Sequence, residues 1–151
     1  MKILLVVLVI SCVACSSNND GTCSDLNQKD LINCRNNDVF PDSLLIADQL
    51  PGQWRWVEHS GAYERIGELS CPDKNVIAAF TNDGQYDVVE DGIRIDQGSW
   101  QIVKWQDLGW RVEFDGANQY LNDWVWFCHD YVMFEPSDVV DAGYYIFQKE
   151  D

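Results

Sequence analysis

Long apolar runs are missing from this sequence, and basic residues are few. The longest uninterrupted apolar stretch, Ile3 to Ile10, has eight residues, whereas a membrane-spanning helix needs about 20. Lys and Arg number 10 against 25 Asp and Glu, for a net charge of −15. Such a chain repels phosphate backbones, which excludes nucleic acid as a natural partner. Histidine is scarcer still: His59 and His129 are the only two. Neither stands in an H-E-x-x-H arrangement, and no G-x-S-x-G or glycine-rich phosphate loop occurs. Cys71, Cys128 and His129 lack the paired C-x-x-C spacing of zinc sites. Carboxylates are so numerous that pairs at a glycosidase-like separation arise by chance and identify no acid–base couple. No catalytic centre assembles from these parts, and the expectation is a non-enzymatic protein without metal or cofactor.

What is there begins with cysteine. Lys2 precedes the apolar run, small residues and two cysteines (Cys12 and Cys15) follow it, and Ser16-Ser17-Asn18-Asn19-Asp20-Gly21 is a polar linker. This pattern resembles a bacterial lipoprotein signal, in which a cysteine after a small residue is diacylated and becomes the mature N-terminus. Ser11-Cys12 fits the lipobox better, but a cut there leaves an unusually short signal and an odd five cysteines. Acylation of Cys15 leaves an even four, Cys23, Cys34, Cys71 and Cys128, suited to pairing in an oxidising compartment. The expected organisation is a signal over residues 1–14, a lipidated tether and lead-in over 15–49, and a barrel domain over 50–151. The anchor holds the protein on the bacterial cell envelope, at the outer membrane or cell surface, because two acyl chains suffice for stable attachment. An ordinary cleaved signal is the alternative.

From Gln53 the chain turns to short alternating runs. They are QWRWVEH, VIAAFT, QYDVVE, IRID, GSWQIV, WRVEF, QYLNDWVWF, YVMFE and YYIFQK, the pattern of half-buried strands. Asp-Gly pairs at 83–84, 91–92 and 115–116 suit tight hairpins, so consecutive strands are predicted to pair antiparallel. The predicted fold is all-β, an eight-stranded antiparallel up-and-down barrel behind a short N-terminal lead-in, with a sandwich as the other possibility. "PDSLLIADQLPG" reads as a short helix or irregular lid. Four cysteines allow three connectivities; their positions favour Cys23–Cys34 within the lead-in and Cys71–Cys128 across the barrel rim.

Several residues carry a resemblance to the lipocalin-like lipoproteins of bacteria, within the calycin group. These are Gly52-Gln53-Trp54, Phe80-Thr81-Asn82-Asp83-Gly84-Gln85-Tyr86, Gly98-Ser99-Trp100 and Tyr144-Tyr145-Ile146-Phe147-Gln148-Lys149. The resemblance implies that Trp54 lies across the barrel floor with Lys149 packed on it as a cation–π contact. Seven tryptophans are otherwise the chemical excess. They either fill the core or offer rigid surface to apolar ligands or sugar faces. Trp56, Tyr86, Trp100 and Trp105 are the candidate ligand contacts. Trp105, five residues from Trp100 and so on the opposite face of one regular strand, is the best candidate for exposure. Two functions follow: an envelope binding module with a small apolar ligand in or at the mouth of the barrel, or a filled-core interaction lipoprotein contacting an envelope partner or a glycan.

Overall fold

The computed structural model describes residues 33–34, 41–60, 70–107, 109–116, 119–136 and 143–150. Cys12, Cys15 and Cys23, and with them the signal and acylation site, lie outside these residues. A short helix, α1 (Ser43–Gln49), leads into eight strands: β1 (Gly52–Ser60), β2 (Val76–Phe80), β3 (Gln85–Glu90), β4 (Ile93–Trp105), β5 (Gly109–Phe114), β6 (Trp124–Cys128), β7 (Tyr131–Glu135) and β8 (Tyr144–Lys149). Asp42 caps α1, its side chain accepting from Leu45 N, which satisfies one of the free N–H groups of the first turn. No helix among the described residues is long and apolar enough to cross a membrane.

The strands form one antiparallel sheet in the order β5-β4-β3-β2-β1-β8-β7-β6, an up-and-down meander in which β8 returns to pair with β1. The sheet curls into a nearly closed barrel. At the β5/β6 seam, Val112 N donates to Asp123 O at 2.8 Å and Arg111 pairs with Asp123 at 3.3 Å. The predicted all-β barrel is therefore the architecture observed.

Alternation sets the core. Val76, Ala78 and Phe80 on β2 are buried while Ile77 and Ala79 between them are less so. The main cluster gathers Trp54, Trp56, Phe80, Tyr86, Val88, Trp100, Phe134 and Phe147, together with Ile46 of α1 and Leu50 at its C-terminal cap. A second cluster lies on the opposite face of the sheet and contains Val57, Cys128, Tyr131, Met133 and Ile146, with Cys34 packed against it. At Val57 the β1–β8 register slips by one residue, from Trp56↔Phe147 to Glu58↔Ile146. A bulge of this kind turns successive residues toward packed surroundings: Val57 and Glu58 are both buried, Glu58 completely.

Three sequence expectations are corrected. IRID and GSWQIV are not separate strands but halves of the 13-residue β4. QYLNDWVWF becomes a strand only from Trp124; Tyr120 and Leu121 are buried without belonging to one. The pairing Cys23–Cys34 with Cys71–Cys128 is overturned, because Cys34 is bonded to Cys128, with Cα atoms 5.8 Å apart. Cys71 is itself disulfide-bonded. Cys34 lies against the outer cluster, next to Cys128 at the end of β6, so the lead-in is stapled onto the barrel instead of hanging beside it.

Candidate functional site

The residues singled out in the sequence fall into three places. The first is the floor. Trp54 is 1% exposed, and its indole N–H donates to Leu50 O at 2.7 Å, fastening β1 to the end of α1. Lys149, its partner across the β1–β8 ladder, extends over the ring with Nζ 5.2 Å from the centroid. The same ammonium donates to Gln49 O at 3.2 Å, while the Lys149 backbone N–H donates to Asp130 O at 2.7 Å. Gly52 has φ +137°, and a Cβ there would meet Lys149 Cε at 3.1 Å. Gly52, Trp54 and Lys149 are thus assembled as one unit with α1.

The second place is the interior, and it is full of rings. Phe80 contacts Trp100 edge-on at 6.3 Å and Phe134 at 6.0 Å; Tyr86 meets Phe114 at 5.3 Å; Phe134 meets Phe147 at 5.6 Å. These separations are those of aromatic pairs in contact. The Trp100 indole N–H donates to Gln85 O at 3.1 Å. The Tyr86 hydroxyl donates to Asp96 Oδ2 at 2.9 Å; burial, then this hydrogen bond, pushes its phenol well above the usual range. Gly98 and Gly116 make room here. A Cβ on Gly98 would stand 1.9 Å from Asp115 Oδ1, and one on Gly116 would stand 2.1 Å from the Tyr86 hydroxyl. At the end of the barrel opposite Gly52, Trp56 lies 5.2 Å from Tyr120, 5.6 Å from Tyr145 and 5.3 Å from His59. Among the described residues, His59 Nδ1 is buried without a hydrogen bond. Tyr120 donates to Glu90 at 2.6 Å, and Glu90 also receives Lys74 at 2.6 Å. The Lys74 and Tyr120 hydrogen bonds hold the Glu90 carboxyl below its ordinary range.

The third place is the outer surface of β4 and β5. Trp105 is there, apart from Trp56, Tyr86 and Trp100, and only partly exposed. The Arg111 guanidinium covers its ring at 3.8 Å. Sequence reasoning singled out Trp105 for exposure without finding Arg111, a diagonal cross-strand neighbour; the signal was the β4–β5 register. Arg111 in turn pairs with Glu113 at 2.5 Å. Further along, Ser99 N and Oγ both donate to the Asp115 carboxylate at 2.7 Å, which holds that acid below its usual range. A cleft of about 350 Å³ opens here, lined by Asp83, Gln85, Trp100, Gln101, Glu113 and Asp115 among others. A second cleft, of about 430 Å³, lies outside the floor against Gln53, Arg55, Gln148, Lys149 and Glu150. Among the described residues no three His, Cys, Asp or Glu side chains are grouped to hold a metal ion.

Of the four candidate ligand contacts, Tyr86 and Trp100 share the interior through Phe80, Trp56 belongs to the aromatic group at the other end, and Trp105 is outside. Of the four, Trp100 alone lines either of the two clefts described above. No protein-family model, curated protein or solved structure matches the chain.

Proposed function

We propose that this protein is a lipid-anchored module of the bacterial envelope whose barrel is a rigid, filled scaffold acting through its surface on an envelope partner or glycan. The observation that supports this reading is the interior itself. Rings from β2, β3, β4, β5, β7 and β8 meet there at contact distance, whereas a small-molecule site would need an open volume of several hundred Å³. The sequence supplies the anchor, through the lipoprotein-type signal and Cys15. The reading invokes no reaction and no cofactor. Native mass spectrometry of the purified acylated protein tests it: the expected mass is that of the mature chain and its lipid anchor alone. A stoichiometric apolar molecule in the spectrum would refute it.

One observation favours a second reading, a small apolar ligand at the mouth. The Trp56, His59, Tyr120 and Tyr145 group combines ring surface with a buried imidazole nitrogen that has no hydrogen-bond partner among the described residues, a polar handle inside an apolar site. On that reading Trp56→Ala abolishes a co-purifying ligand that wild type retains.

A further inference from the structure

We propose that the outer face of β4 and β5 is a binding strip for a neutral oligosaccharide. The proposal rests on the surface-acting reading above and names its site and partner. Residues facing outward on β4 alternate as Ser99, Gln101, Val103 and Trp105; opposite them on β5 stand Glu113 and Arg111, with Asp115 just beyond the strand end. Their polar groups are linked end to end. Ser99 holds Asp115, Gln101 donates to Glu113 at 3.3 Å, Glu113 holds Arg111, and Arg111 covers Trp105. At strand rise the line from Ser99 to Trp105 is about 20 Å long. Its upper end is recessed in the cleft of about 350 Å³ to which Asp83 and Gln85 also contribute.

Sugar chemistry fits these parts. An oligosaccharide presents adjacent hydroxyls along its edges and flat C–H surfaces on its rings. Carboxylate and amide groups hydrogen-bond sugar hydroxyls, and an indole offers a rigid amphipathic surface to the C–H side; Arg111, on Glu113, Asp123 and Trp105, holds the strip in place. Because each planar group is already held by a neighbour, little side-chain freedom is lost on binding. Charge selects among sugars. Three carboxylates line the cleft, Asp83, Glu113 and Asp115, and the chain carries −15, so uronates and phosphorylated sugars are repelled. The cleft beside Arg55 and Lys149 has no aromatic residue in its lining and lacks the second half of this chemistry.

Calorimetric titration of the mature acylated protein in detergent tests the strip. The probes are cellotetraose, chitotetraose, maltotetraose and xylotetraose, with an oligogalacturonate as the anionic control. At least one neutral tetrasaccharide is expected to bind and the galacturonate is not. Trp105→Ala and Gln101→Ala should each weaken binding about tenfold or more while a cooperative melt shows that the barrel still folds, and Trp105→Tyr should restore most of the binding. Failure of every neutral probe at millimolar concentration overturns the proposal. So does binding that Trp105→Ala and Gln101→Ala leave intact, or tighter binding of the galacturonate. A co-purifying apolar molecule in the same preparation strikes instead at the surface-acting reading, and the two failures are separately visible.

Discussion

Lys149 lies over Trp54, with its ammonium 5.2 Å from the ring centroid, and the absent side chain of Gly52 leaves the space through which its stem passes. The three residues therefore make unequal contributions to one contact. Trp54→Ala removes a buried ring and should destabilise by about 3–5 kcal/mol. Lys149→Ala loses an exposed cation–π contact worth about 0.5–1 kcal/mol. Gly52→Ala should cost about 1–3 kcal/mol, since it puts a side chain at a positive φ that disfavours one. Urea unfolding of the three variants gives the order. A Trp54→Ala protein as stable as wild type would place that ring outside the core.

Non-reducing peptide mapping should recover Cys34 linked to Cys128. Replacing both by Ala should cost about 2–5 kcal/mol, because the bridge closes a long loop in the unfolded chain. If Cys15 carries the acyl group and Cys12 departs with the signal, Cys23 is the one thiol left for Cys71. A peptide joining Cys71 to Cys15 would refute acylation at Cys15.

The phenol of Tyr86 titrates above its normal range because it is buried and donates to Asp96. An unfolded tyrosine ionises near about 10. Above that pH the unfolded chain gives up a proton that the native one keeps, so stability falls as pH rises further. Tyr86→Phe should flatten this alkaline slope; Tyr120 and Tyr145, also raised by burial, account for what is left. On the acid side Glu90 and Asp115 are held low. Their contribution is present above about pH 4 and is lost as pH falls through their native values. Thermal melts across the pH range check both limbs.

Metabolic labelling with a fatty-acid analogue should mark the wild type, and Cys15→Ser should lose the label. Retention by Cys15→Ser with loss in Cys12→Ser would move the anchor to the earlier cysteine.

Much of the barrel was legible because local chemistry dictates it. β3 runs from the residue after Asp83-Gly84 to the residue before Asp91-Gly92, as the turn pairs required. The division of β4 was misread for an equally local reason. Gly98 looks like a break, yet it is a strand residue whose missing side chain admits the Asp115 carboxylate, a demand made by β5 and invisible in a window of neighbours. The cysteine pairing was unreadable because Cys34 and Cys128 are 94 positions apart, and which strand end the lead-in crosses depends on the finished barrel. The outer strip was illegible as a unit because Gln101, Glu113, Arg111 and Trp105 meet only through the β4–β5 register.

The Cys34–Cys128 bridge also bears on biogenesis. In a chain threaded N-terminus first through a translocon, the Cys34 thiol emerges well before its partner, and Cys71 arrives in between. Cys23 emerges earlier still, so an oxidant acting on thiols in order of appearance would join Cys23 to Cys34, a bond the native protein does not contain because Cys34 is held by Cys128. Six strands must be delivered before the correct sulfur is available. Maturation of a chain exported in this way would depend on delayed oxidation or on a disulfide isomerase, and a host lacking that enzyme should accumulate a scrambled form.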